Sequence, residues 1–288
     1  MLSTKLAKDT VGVYQARPQH FISYYLRYVC TTFLNFLFAA LWYVPFVWPK
    51  GNMLGYAVKF RHVISSLDCV KGKMNWFTPA MLLGISLPGE PYFSPYLYIP
   101  GLRRCSPTWD ISEFPWIEEL LVKNFRVLRD EYYSAARPEN SSYGMKSWGT
   151  HIFYANGIEN EKVAAMFPKT AAILKKVPRF HGLHTCFSLT RPNGHIAPHH
   201  GHSNALLRVQ FAIDIPNGAY FEVAGEKVLW TEGQAFVFDD SYYHGAWNPT
   251  PHERVVFFLD FFHPDLSDND TKKLDELWRA EDGEFRHF

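Results

Sequence analysis

The stretch from His184 to Pro264 decides the fold: HTCFSLTRPNGHIAPHHGHSNALLRVQFAIDIPNGAYFEVAGEKVLWTEGQAFVFDDSYYHGAWNPTPHERVVFFLDFFHP. It divides into eight short segments rich in β-branched and aromatic residues, at 183–190, 195–198, 205–215, 219–224, 227–231, 234–239, 243–247 and 253–262. Turn chemistry separates them: Pro192-Asn193-Gly194, Pro216-Asn217-Gly218, Ala224-Gly225, Glu232-Gly233 and Asn248-Pro249. Many short strands joined by such turns predict a mainly β chain closed as a small barrel or jelly roll.

Two histidines, His199 and His244, lie 45 positions apart in this stretch. Neutral imidazole is the commonest side-chain ligand for first-row metals. Oxygen-activating Fe(II) sites usually add a carboxylate two residues after the first histidine, but that position here is Gly201. Either water takes the carboxylate position and the site is two-His, or His199 is no ligand. If the segment is extended, His200 points away from the face of His199, and His202 falls on the turn after Gly201. Each candidate ligand is followed by an arginine in an apolar run, Arg208 and Arg254. Alternation on 205–215 puts Arg208 and Gln210 on one face and Leu207, Val209, Phe211 and Ile213 on the other. A cation in so apolar a run is costly to bury unless an anion meets it. The anion is either a protein carboxylate such as Asp214, Glu222 or Asp260, or a dicarboxylate ligand gripped bidentately by guanidinium.

Upstream, Tyr96–Gly101 reads as a short strand into a turn, Trp116–Tyr133 as a helix, Trp148–Tyr154 as a strand and Glu159–Lys176 as a second helix. Pro168 either divides that second helix or opens its later half at the first helical position. The domain organisation read from this is an N-terminal region 1–50, an irregular linker 51–92, the main domain 93–266 and a charged, helical tail 267–288. Tyr28–Trp48 carries no charge and, as a helix, would reach roughly 30 Å, the thickness of a bilayer core. Trp42, Tyr43 and Trp48 cluster at its far end as interfacial aromatics do, while Thr31, Thr32, Asn35 and Pro45 dilute its hydrophobicity. It predicts membrane association as a span or an interfacial helix, and it is too long and too late for a signal peptide. The net charge of +1 gives no electrostatic footprint for nucleic acid. Cys30, Cys69, Cys105 and Cys186 are too few and too scattered for a disulfide scaffold and read as free thiols.

Phe187-Ser188 before a Pro/Gly turn, Pro198-His199-x-Gly201-x-x-Asn204, Leu207-Arg208, Phe238-Asp239-Asp240-Ser241, His244-x-x-Trp247, Arg254 and Asp260-x-x-His263-Pro264 form one ordered set. With Pro100-Gly101-Leu102, Arg129-Asp130-Glu131 and Pro168-Lys169-Thr170 upstream, the chain from Tyr96 to Leu266 resembles the aspartyl/asparaginyl β-hydroxylase family. Bacterial lipid A 2-hydroxylases are similar. The resemblance implies a double-stranded β-helix (cupin-like jelly roll) with flanking helices, which uses Fe(II) and takes 2-oxoglutarate and O2 as co-substrates. It implies that His199 and His244 are the iron ligands, and that Gly201 matches members lacking the carboxylate ligand. Arg254 and Ser188 would hold the distal carboxylate of 2-oxoglutarate, and Arg208 the carboxylate nearer the iron. Gln210 replaces the histidine that relatives carry beside that arginine: it can donate a hydrogen bond but carries no charge. Tyr154 falls where an aromatic lines the pocket, and Asp239, Asp240 and Asp260 read as turn or supporting residues rather than ligands.

The implied activity is hydroxylation of an aliphatic carbon with decarboxylation of 2-oxoglutarate to succinate. A peptidyl Asp or Asn side chain and a lipid acyl chain are the substrates that relatives suggest, with a small free acid or natural product as a third. The apolar N-terminal segment favours a membrane-proximal substrate. Two readings from other classes stand beside it. One is a catalytically silent barrel that binds a ligand or partner, supported by Gln210 and the missing carboxylate. The other is a cupin-type metalloenzyme that does not use 2-oxoglutarate, in which both arginines are structural.

Overall fold

The computed structural model describes residues 63, 66–70, 99, 101–103, 107–138, 147–201 and 203–280. The apolar segment 28–48 and nearly all of the expected strand at 96–101 lie outside them. Within them run eleven strands: β1 (Thr108–Trp109), β2 (Trp148–Ala155), β3 (Ile158–Glu159), β4 (His184–Thr190), β5 (Gly194–His199), β6 (Leu206–Asp214), β7 (Tyr220–Val223), β8 (Glu226–Val228), β9 (Ala235–Asp239), β10 (His244–Asn248) and β11 (Arg254–Phe262). β4 to β11 fall on the eight expected segments, with ends shifted by a few residues at most.

Two antiparallel sheets form, in the orders β1-β9-β6-β11-β4-β2-β3 and β5-β10-β7-β8. Strands β4, β6, β9 and β11 thus share the large sheet, and the strands threaded between them in sequence share the small one. That is the strand order of a double-stranded β-helix, and the chain is mainly β.

Alternation along the large sheet sets up two cores. Phe187, Leu189, Leu207, Val209, Phe211, Ile213, Phe257 and Leu259 pack outward, against a layer of helices that supplies Ile117, Leu121, Leu128, Phe167 and Leu174. The opposite face meets the small sheet, and there Cys186, Ala212, Val256 and Phe258 pack against Phe221, Val223, Trp230, Phe238 and Ala246. The side chains of Ser188, Arg208, Gln210, Arg254 and Asp260 have the parity of this inner face, so strand period alone delivers them to the barrel interior.

The helical layer is held by two local devices. The helix expected over 116–133 is interrupted by a π-helical turn at Glu118–Val122 before Phe125–Ser134. The Asn124 amide donates to Leu120 O (3.1 Å) and Glu119 O (3.2 Å), diverting carbonyls from the regular ladder. Further on, Pro168 opens Pro168–Leu174 at its first turn and separates it from Glu161–Met166. The Glu131 carboxylate caps that second helix from a distance, accepting from Lys169 N (2.8 Å), Thr170 N (2.7 Å) and Thr170 Oγ1 (2.7 Å). This explains why two motif fragments some forty residues apart travel together.

A third cluster extends packing beyond the expected domain limits. Leu67 and Val70 are fully buried against Ile99, Leu183, Leu206, Phe262 and, from the C-terminal helix Asp268–Ala280, Leu274 and Trp278. Asp270 receives Asp68 N (2.6 Å) and Cys69 N (3.1 Å), so part of the stretch read as linker is docked on the barrel. Among the described residues no helix is long and apolar enough to cross a membrane.

Candidate active site in the barrel interior

His199 and His244 face each other in register across β5 and β10, with ring centroids 4.3 Å apart. His195 on the same strand is exposed and pairs with Trp247, so strict alternation would send His199 outward too. The register shift between His244 and Ala246 sets it opposite His244 instead, although the residue remains exposed. His199 Nδ1 lies 2.8 Å from Ala197 O and His244 Nδ1 lies 2.7 Å from Tyr242 O. A carbonyl only accepts, so each of these contacts is made by an Nδ1 that carries a proton. Burial among Phe221 and Phe238, with His199 adjacent, pushes His244 down to about 3, so it is neutral at physiological pH. His200 goes elsewhere: its Nδ1 sits 3.0 Å from Ser241 O and its ring lies on Tyr243. His202 lies outside the described residues.

Gly201 has a specific steric cause. A Cβ there would stand 1.8 Å from Asp240 Oδ2. The Asp240 carboxylate therefore fills the space that a side chain two after His199 would use. Asp240 Oδ1 is 3.3 Å from His244 Nε2 and 2.9 Å from Arg208 Nη1. Gly201 N donates to Asp240 O (2.7 Å), joining the two loops, and Asp239 Oδ1 accepts Ser241 N to shape the turn that delivers Asp240 and then His244. Asp240, expected as a turn or supporting residue, stands beside both His244 and Arg208. Its one signal was a carboxylate four residues before a candidate ligand.

Arg208 has found protein partners. Directly across β11, Asp260 takes its Nε (2.6 Å) and Nη2 (2.8 Å), and Asp240 stands at Nη1. Burial alone would lower the guanidinium pKa, but the two carboxylates raise it, and of its five N–H groups two remain for a ligand. Of the three carboxylates weighed from sequence, Asp260 is the partner.

Arg254 differs. It is 1% exposed, its Nη2 donates to Thr190 Oγ1, its guanidinium lies 4.8 Å from the Trp230 ring centroid, and its Nε has no partner. No carboxylate pairs with it among the described residues, and burial lowers it to about 9. Ser188 lies one pleat away on β4, its Oγ accepting the Trp148 indole N–H at 2.8 Å, which leaves the hydroxyl proton free. Gln210 is buried between the two arginines in register with Phe258, and its Oε1 is without a partner. Cys186, fully buried on the same wall, has its thiol pushed up by that burial and is inert.

Tyr154 requires a correction. The register shift between Ile152 and Tyr154 turns it out of the interior, and it packs on Phe180 and Gly182 at the helix-covered side. The aromatic that β2 does send inward is Trp148.

The residues present suit a divalent first-row metal: two facing imidazoles whose Nδ1 atoms are taken up by backbone carbonyls, and a carboxylate beside them. Among the described residues no group of three or more His, Cys, Asp or Glu side chains is arranged to hold a metal ion, so the donor set rests on the histidine pair.

A double-stranded β-helix with paired imidazoles at one end of its interior and a buried, acid-free arginine at the other is the class of protein defined by this geometry. The sequence model of the family described as Aspartyl/Asparaginyl beta-hydroxylase matches residues 121–264, half of the chain, and the chain belongs to that family. It is 29% identical over 192 residues to human aspartyl/asparaginyl beta-hydroxylase, covering 62% of this chain and 25% of that protein. It is 31% identical over 175 residues to the Rhizobium tropici ornithine lipid ester-linked acyl 2-hydroxylase, covering 55% of this chain and 61% of that one. Human aspartate beta-hydroxylase domain-containing protein 1 is 35% identical over 207 residues, 67% of this chain and 52% of its own length. The matched region thus spans from a quarter to about three fifths of these relatives. Among solved structures, KdgF from Halomonas aligns over 46% of this chain at a TM-score of 0.29 and 14% identity. The fold assignment rests on the strand order.

Proposed function

We propose that this chain is an Fe(II)- and 2-oxoglutarate-dependent dioxygenase that hydroxylates an aliphatic carbon. The observation that carries the proposal is Arg254, a fully buried guanidinium with an unpartnered Nε and no acid beside it. An isolated interior charge is too costly to keep without a function, and a ligand carboxylate would resolve it. Ser188 and Thr190 stand at the same end to complete that grip. At the other end, His199 and His244 would hold the iron through Nε2. Asp240 would orient the coordination sphere from the place Gly201 leaves open, and the two remaining Arg208 N–H groups and the Gln210 amide would receive the nearer carboxylate. Phe221, Phe238, Trp148 and Trp230 keep water out, which strengthens each of these contacts. When bound, iron, 2-oxoglutarate and O2 would together supply the oxidising power that puts a hydroxyl on an unactivated C–H, with succinate and carbon dioxide as by-products.

For the substrate, the names of the relatives support either a peptidyl Asp or Asn side chain or a lipid acyl chain. Residues 28–48 would bring the domain to a membrane, which is where we place it. One observation favours a second reading: Arg208 is already neutralised by Asp260 and Asp240, as in a cupin-type metalloenzyme whose arginines are structural.

The test is anaerobic addition of Fe(II) and then 2-oxoglutarate to the full chain, read by the visible charge-transfer band of the chelate. The band is expected in the wild type and absent in His244→Ala and Arg254→Met. Bound iron without a band would overturn the reading in favour of the cupin-type enzyme. Failure to bind iron would favour a silent binding barrel.

A further inference from the structure

The barrel interior is not the only built cavity. On the helix-covered face, a cavity of about 540 Å³ opens where the end of the Phe125–Ser134 helix meets the end of β6 and the start of β11. That is within the range of small-molecule sites. It lies outside the barrel, at the Arg254 end, because Val255 and Asp214, which pair across β11 and β6, form part of its wall.

Its wall carries Asp214 and Glu253 together with Arg137 and His252. Tyr132 is 94% buried (6% exposed) and lines the cavity, yet its phenol makes no hydrogen bond to any protein group among the described residues. The carboxylates of Asp214 and Glu253 line the same cavity. Each has one oxygen engaged: the Tyr133 phenol donates to Asp214 Oδ2, and Arg137 Nη1 sits 2.8 Å from Glu253 Oε2. The other oxygen of each is without a protein partner among the described residues. Pro216 and Val255 add an apolar patch. Unused capacity is therefore two carboxylate oxygens and a phenol, next to aromatic faces. Arg137 is turned to Glu253, and Asp214 has no ion pair among the described residues. An anion would meet two carboxylates here. A cation on a short alkyl stem would meet acceptors, π faces and an apolar ledge.

We propose that this cavity is a second binding site, for an alkylammonium or guanidinium group presented by a basic side chain or a free amine. Nothing in it draws on the metal site, so it stands apart from the function proposed above.

The experiment is calorimetric titration of the full chain, without metal, with n-butylammonium chloride and with Nα-acetyl-lysinamide, using sodium chloride and sodium succinate at matched ionic strength as controls. Saturable binding of an amine is expected, with about tenfold weakening in Asp214→Asn/Glu253→Gln and a smaller loss in Tyr132→Phe. Tighter binding of the lysinamide would identify a protein side chain as occupant, and equal binding a free amine. Either supports the site. No saturable binding of either amine overturns it, as does undiminished binding by the double variant. If the double variant does not fold, Tyr132→Phe decides, since it keeps the ring packing; unchanged affinity there overturns the site.

Discussion

Arg208 and Arg254 stand on neighbouring strands of one sheet and point into one interior, yet among the described residues two carboxylates hold the first and none holds the second. Both are arginines in apolar runs, and nothing in their local sequence separates them. The difference comes from what the register places opposite. Asp260 faces Arg208 across β11, whereas Thr190 faces Arg254 across β4. The Arg208 end is thus an ion cluster that stands beside His244 and keeps two N–H groups spare. The Arg254 end has an unpartnered Nε, which under the proposed function a ligand carboxylate would meet. One residue type serves there as scaffold and as receptor.

The contrast breaks most readily at the scaffold end. Asp260→Ala leaves the buried Arg208 fork empty and should lower unfolding free energy by about 3–5 kcal/mol, measured by urea denaturation. Arg254→Met should behave oppositely. It removes a buried charge with no acid partner, so stability should hold or rise, while the affinity for 2-oxoglutarate falls by about 2–5 kcal/mol in a direct binding titration. If Arg254→Met destabilises as much as Asp260→Ala, the two ends are alike and the receptor role is lost.

Gly201 sharpens the same contrast from the side of the metal. Gly201→Ala drives a methyl into the Asp240 carboxylate and should cost about 1–3 kcal/mol. By displacing a group beside the ligands it should also weaken Fe(II) binding by about 10–100-fold, read by equilibrium dialysis. In Gly201→Asp/Asp240→Gly the carboxylate changes loops but not location, so metal affinity should recover relative to Gly201→Asp alone.

Much of this was legible before any coordinates. Turn residues and alternation mark β4 to β11 because each Pro, Asn or Gly turn ends a strand whose apolar face must be buried. The histidine pair and both arginines follow from the same pattern. What was not legible depended on departures from strict period two or on distance. A register shift sets the exposed His199 opposite His244, and another removes Tyr154 from the interior. Asp240 sits in a turn, where side-chain direction has no period. Asp260 was one of three acids that could have met Arg208, and register alone selects it. The two-residue strands β1 and β3 are too short to show alternation. The docking of Leu67 and Val70 is set by Asp270, some two hundred residues away.

The smallest expected effect tests whether the scaffold end carries stability on its own account. Next to Asp260, whose carbonyl accepts its backbone N–H, His181 is wedged between Phe262 and Trp278 with both centroids at 4.8 Å. Burial lowers it to about 4; Asp275, 3.4 Å from Nε2, opposes that shift and Arg279 adds to it. In the unfolded chain the imidazole takes a proton near 6.5. Between these values the unfolded state binds more protons than the native state, so stability is full above pH 6.5 and falls as the pH drops towards 4. Between pH 7.5 and 5.5 this amounts to roughly 1 kcal/mol. His181→Phe keeps the aromatic wedge but removes the titration, so the difference in unfolding free energy between the two pH values should shrink by that amount. Because His181 touches the ion cluster and not the Arg254 end, 2-oxoglutarate affinity at pH 7.5 should be unchanged in the same variant. A loss of affinity there would mean that the two ends of the barrel are coupled through Asp260, and that bracing and receiving are not separate tasks.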